Sequence, residues 1–400
     1  MEQGSNSHFI HTPQRLKDLC RRVRAARRLG LDTEFVSERR FSPDLGIIQV
    51  AVEDECAIID PQTLPDLNEF CELLCDSNVE KVFHAGRQDL EIFYRLGGEV
   101  PSPIFDTQIA AALVGYGEQV SYARLVEEAV GVTLVKNEGF TDWRVRPLSA
   151  DQVEYALDDV RYLLSVAKKL RSDLRRLGRT GWAKEEFARI GEDIFTARTS
   201  PHERYRQVRR WTSLSRQNLA VLRELASWRE QEAERKNRPR GRVIPDEVLI
   251  ELARRSPADH AGLKKIRALN PGIVKRQGDE LLQAIQKGLD VPKEELPRVP
   301  KRKAKVSTPP PGLVDLLSTV LRARAEQMKI APGLLAKRSD LECLATDPSS
   351  EPSLPVLQGW RFELVGKELL DVLKGQCRVG FDLEDGKVKT FPLDDAQPSE

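Results

Sequence analysis

Two carboxylates set two residues apart in an apolar run are the first place where this sequence could do chemistry. In Leu29-Gly30-Leu31-Asp32-Thr33-Glu34-Phe35 the surroundings are those of a strand, so Asp32 and Glu34 project from one face. Side by side they repel, and burial sharpens the repulsion. Such a pair is tolerated at a sheet edge in water, or around a divalent cation that reverses the local electrostatics. A third carboxylate, Asp89, follows His84-Ala85-Gly86, where an apolar strand gives way to a helix. Read alone, an aspartate in a first helical turn answers the helix dipole. Tyr155 and Asp159 stand four apart and share one face of a helix, which by itself is equally the polar side of an amphipathic segment. Asp158 points away from that face, toward solvent or Arg161.

The elements that must hold these residues follow from the same periodicities. Strands are expected at residues 29–35, 46–52, 57–59 and 81–84. Helices are expected at 64–75, 88–96, 107–115, 122–130 and 150–177. Short connections make the first three strands a meander, and the later helices imply parallel crossovers. Residues 1–195 therefore read as an α/β domain, a mixed sheet flanked by helices. Leu16, Leu19, Cys20 and Val23 recur at helical spacing, so the arginine-rich start reads as the first helix and not as a transit peptide. Residues 205–292 read as all helix, with an apolar stripe from Trp211 to Trp228. Residues 293–310 are a basic, proline-rich linker. Residues 311–392 read as a second small helical module ending in a hairpin around Glu384-Asp385-Gly386. Residues 394–400 are expected to fray.

Composition narrows the classes. Of the 400 residues, 40% are hydrophobic and 31% charged, and the net charge is +1, which excludes a histone-like polycation and an acidic disordered chain. The total conceals segregation. Residues 51–150 carry 7 Lys+Arg against 18 Asp+Glu, a net of −11, whereas residues 201–305 carry 26 against 14, a net of +12. The first block could collect divalent cations and the second could meet phosphate; two solvated surfaces of opposite sign are the plainer alternative. Six cysteines without a CxxC pair and five scattered histidines argue against structural zinc and a disulfide framework. No apolar run is long enough to span a bilayer.

The order of the signals is more specific than any one of them. A DxE pair on a strand, an aspartate early in a helix and Tyr-xxx-Asp on a late helix resemble the DEDD superfamily of 3′–5′ exonucleases, tyrosine subclass. LGLDTEFVSER, HAGRQDLEIF, FDTQIAAAL and TDWRVRPLSADQVEYALDDVRYL are similar to the ribonuclease D family, with likeness over roughly residues 8–290. The 211–290 block, with WREQEAERKNRPRGRVIPDEVL, resembles the helicase-and-ribonuclease-D C-terminal module. The last hundred residues resemble a second, more divergent copy.

This resemblance implies a ribonuclease H-like mixed sheet flanked by helices, followed by two small all-α modules. It also implies two divalent cations, Mg²⁺ or Mn²⁺. Asp32 would bridge both, Glu34 and Asp159 would complete the site of the attacking water, Asp89 would hold the second, and Tyr155 would orient the water. Trp143 and Arg144 are candidates to stack on or clamp terminal nucleotides, although Trp143 reads equally as a core aromatic. Lys136 could meet a phosphate. Asp106 reads as a helix cap and His84 as a strand-end histidine. Arg238, Arg240 and Arg242, beside Arg235 and Lys236, would hold the RNA backbone.

The expected function is a metal-dependent 3′–5′ exoribonuclease that trims tRNA precursors and other small structured RNAs to release nucleoside 5′-monophosphates. It is expected to act in the cytoplasm as a monomer, with no obligate protein partner and no membrane. A DNA-directed exonuclease and a catalytically silent RNA-binding protein are the alternatives. Deleting residues 211–400 is expected to weaken RNA binding and leave the active site standing.

Overall fold

The computed structural model describes residues 8–36, 40–134, 142–199, 201–297, 309–310, 312–346 and 354–393. Six strands, β1 (Phe9–Ile10), β2 (Arg28–Val36), β3 (Asp44–Val52), β4 (Glu55–Ile59), β5 (Glu80–Phe83) and β6 (Ile104–Asp106), form one sheet of order β1-β4-β3-β2-β5-β6. β3 and β4 are antiparallel, while β1 with β4, β2 with β5 and β5 with β6 are parallel. The expected mixed sheet is thus present. The two outermost strands, of two and three residues, are too short to show a period in sequence. β3 sits mid-sheet and is buried from Gly46 to Val52, which explains its unbroken apolar run.

The helices around the sheet are α1 (Pro13–Ala26), α2 (Asn68–Cys75), α3 (Arg87–Gly97), α4 (Thr107–Val114), α5 (Tyr122–Val130), α6 (Ala150–Arg161), α7 (Leu163–Arg176) and α8 (Thr180–Thr199). Thr12 caps α1 by accepting the Arg15 N–H, and Leu16, Leu19, Cys20 and Val23 are buried as their spacing requires. Two expectations need correction. The helix expected from residue 64 starts only at Asn68, after a turn in which the Thr63 hydroxyl donates to the Asp60 carbonyl at 3.0 Å. The single helix expected over 150–177 is two. It breaks at Tyr162, whose N–H donates to the Tyr122 hydroxyl at 3.2 Å instead of continuing the helical ladder.

The chain forms two compact units. One combines residues 1–34, 46–192 and 305–400, and the other residues 35–45 and 193–304. In the second unit α9 (Arg216–Arg235), α10 (Arg240–Val243), α11 (Asp246–Arg255), α12 (His260–Lys264) and α13 (Pro271–Leu289) surround an apolar core that includes Leu222, Leu225, Leu249 and Leu281. Residues 35–45 join this unit: the Arg240 guanidinium lies 4.7 Å from the centre of the Phe41 ring, and the Ser42 N–H donates to Asn237 Oδ1 at 3.0 Å.

The C-terminal segment begins with α14 (Leu313–Met328), continues through short helices to Leu373 and ends in the hairpin β7 (Cys377–Asp382) and β8 (Lys387–Pro392). Its described apolar side chains do not stand apart from the first unit. Leu317, Val320, Leu341, Val365 and Leu369 share one apolar cluster with Leu113 of α4, Leu125 of α5 and Val166 and Leu170 of α7. Trp182 stacks on Trp360 with centroids 4.6 Å apart. Arg179, 5% exposed, donates to the carbonyls of Leu113 at 2.6 Å and Met328 at 2.5 Å. Glu186 accepts from Arg361 at 2.6 Å and from Trp360 Nε1 at 2.9 Å. The expectation that deleting residues 211–400 weakens RNA binding and leaves the active site standing needs correction, because 14 of the 31 buried residues of this core come from beyond residue 312.

Candidate active site

The structure brings Asp32, Glu34, Asp89, Tyr155 and Asp159 together. Asp32 and Glu34 stand half-buried on β2, beside β5 and β3. Asp89, 6% exposed in the first turn of α3, accepts a hydrogen bond from the hydroxyl of Thr33, the residue between the pair. Tyr155 and Asp159 share one half-buried face of α6, beside the buried Ala156, Leu157 and Val160, and the Tyr155 hydroxyl donates to Asp159. Asp158 turns away and pairs with Arg161, which also binds Glu154 at 2.8 Å.

Each element is aimed by a local device. Ala85 adopts φ 56°, and at Gly86 a Cβ would meet Phe83 Cβ at 2.4 Å, so the turn before α3 closes too tightly for a side chain. Asp106 clamps this turn. Its Oδ2 accepts the Gly86 N–H at 2.9 Å, while its Oδ1 caps α4 through Gln108 N–H at 2.9 Å. His84 bridges Thr107 Oγ1 at 2.9 Å and the Val120 carbonyl at 3.1 Å, a strand-end role. α6 starts in a capping box. Gln152 N–H donates to Ser149 Oγ at 3.1 Å, and Ser149 N–H donates to Gln152 Oε1 at 2.9 Å.

The loop before α6 is held by a residue that sequence reasoning did not find. Arg146 donates to both oxygens of Asp60, at 2.6 and 2.9 Å, and to the carbonyls of Gly46 and Trp143 at 2.9 and 2.8 Å. Trp143 then lies over Gly46, where a Cβ would stand 2.6 Å from Trp143 Cβ. Its indole is 3% exposed and 6.0 Å from the Tyr155 ring, centre to centre. This corrects the stacking expectation: Trp143 supports Tyr155 from within the core and presents no open face. Arg144 is engaged by Asp142 at 2.7 and 2.6 Å. Lys136 lies outside the described residues.

Gln49 was also missed. It is fully buried on β3, and neither amide atom has a partner among the described residues. A Cβ placed on Gly30 would meet Ala51 Cβ at 3.1 Å, so by strand alternation Gln49 lies on the sheet face that carries Asp32 and Glu34. The available signal was a lone amide in an apolar run.

The electrostatics of the cluster are those of acids kept from ionising. Burial, then the charges of Asp89, Asp159 and Glu34, push Asp32 well above the usual carboxylate range. Burial with Asp159 and Asp89 raises Glu34 to about 8. Asp159 is raised to about 7, by burial and then by Asp158, and Asp89 to about 6, chiefly by burial. The Tyr155 phenol is raised by burial and by Asp159, so it holds its proton at neutral pH. Among the described residues no three His, Cys, Asp or Glu side chains already converge as a closed metal cage. The four carboxylates stand apart yet close enough to feel one another. A donor set of hard, mutually repelling oxygens fits divalent cations of the Mg²⁺ or Mn²⁺ type, which relieve that repulsion.

Comparison with known proteins bears on the chain as a whole. Residues 7–175 match the family described as 3′-5′ exonuclease, and residues 218–285 match the HRDC domain. A ribonuclease D of Granulibacter bethesdensis is 40% identical over 391 residues, covering 96% of this chain and 98% of that protein. This chain belongs to the ribonuclease D family. A second ribonuclease D, from Gluconacetobacter diazotrophicus, is 41% identical over 96% of both chains. The crystal structure of Escherichia coli RNase D, described as an exoribonuclease involved in structured RNA processing, superposes with a TM-score of 0.78 at 32% identity, over 92% of this chain and 98% of that one. The chain is accordingly a 3′–5′ exoribonuclease of a metal-dependent family.

In the second unit the basic block is partly neutralised from within. Arg235 and Lys236 both pair with Glu232, and Arg240 pairs with Glu230 at 2.5 Å. Arg238 and Arg242 are exposed and have no ion-pair partner among the described residues. Among the described cations of this block, these two remain open to solvent.

Proposed function

We propose that this enzyme trims the 3′ trailers of tRNA precursors and other small structured RNAs, one nucleoside 5′-monophosphate at a time, with two divalent cations, Mg²⁺ or Mn²⁺. The convergence of four carboxylates whose pKa values are all raised, chiefly by burial, with Tyr155 hydrogen-bonded to one of them, carries the reading. Asp32, which feels all three other acids, would bridge the cations; Glu34 and Asp159 would complete the position nearest the attacking water, and Asp89 would hold the other. Bound cations supply charge compensation to the scissile phosphate and acidify water. Tyr155, kept protonated, orients that water by hydrogen bonding and does not act as a base. The water oxygen bonds to phosphorus, the bond from phosphorus to the 3′ oxygen breaks, and a proton passes to that oxygen.

Arg238 and Arg242 would hold the body of the RNA through phosphates, without reading sequence. Six free cysteines suit a reducing cytoplasm, where the enzyme would act as a monomer, and no helix among the described residues is long and apolar enough to cross a membrane. The test is digestion of matched 5′-labelled RNA and DNA strands, with and without chelator. RNA should shorten from its 3′ end only with divalent metal. Asp89→Asn should cut the rate by more than about 100-fold while RNA binding in Ca²⁺ persists. Preference for DNA, or full activity in chelator, would sink the reading.

A further inference from the structure

A cleft of about 750 Å³ opens between α14 and the β7–β8 hairpin, and none of its lining residues belongs to the carboxylate cluster. Arg322, Arg324, Lys329, Lys387 and Lys389 line it, against Glu326 and Glu368. Two of these cations are answered. Arg324 pairs with Glu368 at 2.8 Å, and Lys389 with Asp382 and Asp385 at 2.8 and 2.6 Å. Arg322, Lys329 and Lys387 are exposed without an ion-pair partner among the described residues. The same cleft is lined by Phe381, whose ring is 61% exposed on a strand of the hairpin.

Uncommitted cations around an open aromatic ring are the elements of a single-strand nucleic-acid platform, in which phosphates meet the cations and a base lies on the ring. An apolar peptide fits less well, since five of the lining residues are cations and only one is aromatic. We propose that this cleft is an accessory binding site for single-stranded RNA, with Arg322, Lys329 and Lys387 on phosphates and Phe381 stacked on a base. The proposal rests on the reading of the chain as an RNA-trimming enzyme and gives the C-terminal segment a part in it. Such a site would retain a long substrate between successive cleavages at the carboxylate cluster.

The test uses the full chain and a fluorescent, unstructured RNA of about 16 nucleotides, with affinity followed by anisotropy in Ca²⁺ over a salt series. The triple variant Arg322→Gln, Lys329→Gln, Lys387→Gln should lower the slope of log affinity against log salt by about 2. Phe381→Ser should weaken binding about tenfold at one salt concentration and leave the slope unchanged. Both variants alter exposed side chains, and both should hydrolyse a trinucleotide at the wild-type rate, which separates the cleft from the catalytic centre. Wild-type affinity and slope in both variants, with trinucleotide hydrolysis intact, would overturn the cleft alone. A wild-type protein that degrades no RNA would overturn the function beneath it. Slower trinucleotide hydrolysis in the variants would overturn the assignment of the cleft as accessory.

Discussion

Asp106 divides one carboxylate between two helices, capping α4 with one oxygen and fixing the turn that launches α3 with the other. Asp89 lies three residues beyond that turn, so a residue that touches no substrate sets where a cluster acid stands. Asp106→Ala should cost about 1 kcal/mol of stability for the lost cap and, in addition, slow hydrolysis about 10- to 100-fold. An unchanged rate with lowered stability would reduce Asp106 to a cap. The cluster also gives the metal-free protein a pH signature. Asp89, Asp159 and Glu34 are raised to about 6, 7 and 8, and Asp32 is raised as well, so the folded state binds more protons than the unfolded one between about pH 4 and pH 8. The stability they contribute is full below about pH 4 and is lost as the pH rises through their folded values. His84, lowered by burial below its ordinary value, works in the opposite sense, and Lys81, lowered to about 8, enters only above that pH. Melting in chelator should therefore show the midpoint falling from pH 5 to pH 8, and saturating Mg²⁺ should flatten the fall. A midpoint that rises over that range would contradict the assigned shifts.

The loop between Asp142 and Ser149 shows how elements that carry no chemistry position those that do. Arg146 ties it to Asp60, Gly46 leaves room for Trp143, and Trp143 backs the ring of Tyr155. Gly46→Val would drive a side chain into Trp143. It should destabilise the protein by about 1–3 kcal/mol as an overpacked site and lower kcat more than it raises KM, since the disturbed group is Tyr155 and not a substrate contact. Melting and steady-state hydrolysis of a short RNA would check both halves. Elements also mark what the sequence could show. Asp32 with Glu34, and Tyr155 with Asp159, were legible because strand and helix periods place near neighbours on one face. Asp106 with Gly86 and Arg146 with Asp60 were not, because these partners lie 20 and 86 residues apart and meet only through the fold. The two outer strands were too short to read, and the break at Tyr162 depends on a hydroxyl supplied by α5.

In the whole molecule the nuclease core is closed by residues far from the catalytic motifs. An amphipathic helix announces that one face must be covered without saying by what, so α14 and its successors read as a separate module when they complete the first unit. Removing residues 305–400 would uncover Leu113, Leu125, Val166 and Leu170, at about 1.5–3 kcal/mol for each side chain returned to water, and would take Arg361 and Trp360 away from Glu186. The truncated chain should melt well below the full one or aggregate, as calorimetry and light scattering would show. An equal melting temperature would refute the shared core. The same arrangement bears on birth as well as on stability. Translation delivers the DxE strand early and the helices that seal its unit last, so on the ribosome α4, α5 and α7 must wait, with apolar side chains uncovered, until residues 313–369 emerge. A nuclease built this way stays incomplete while most of its own message is still being read.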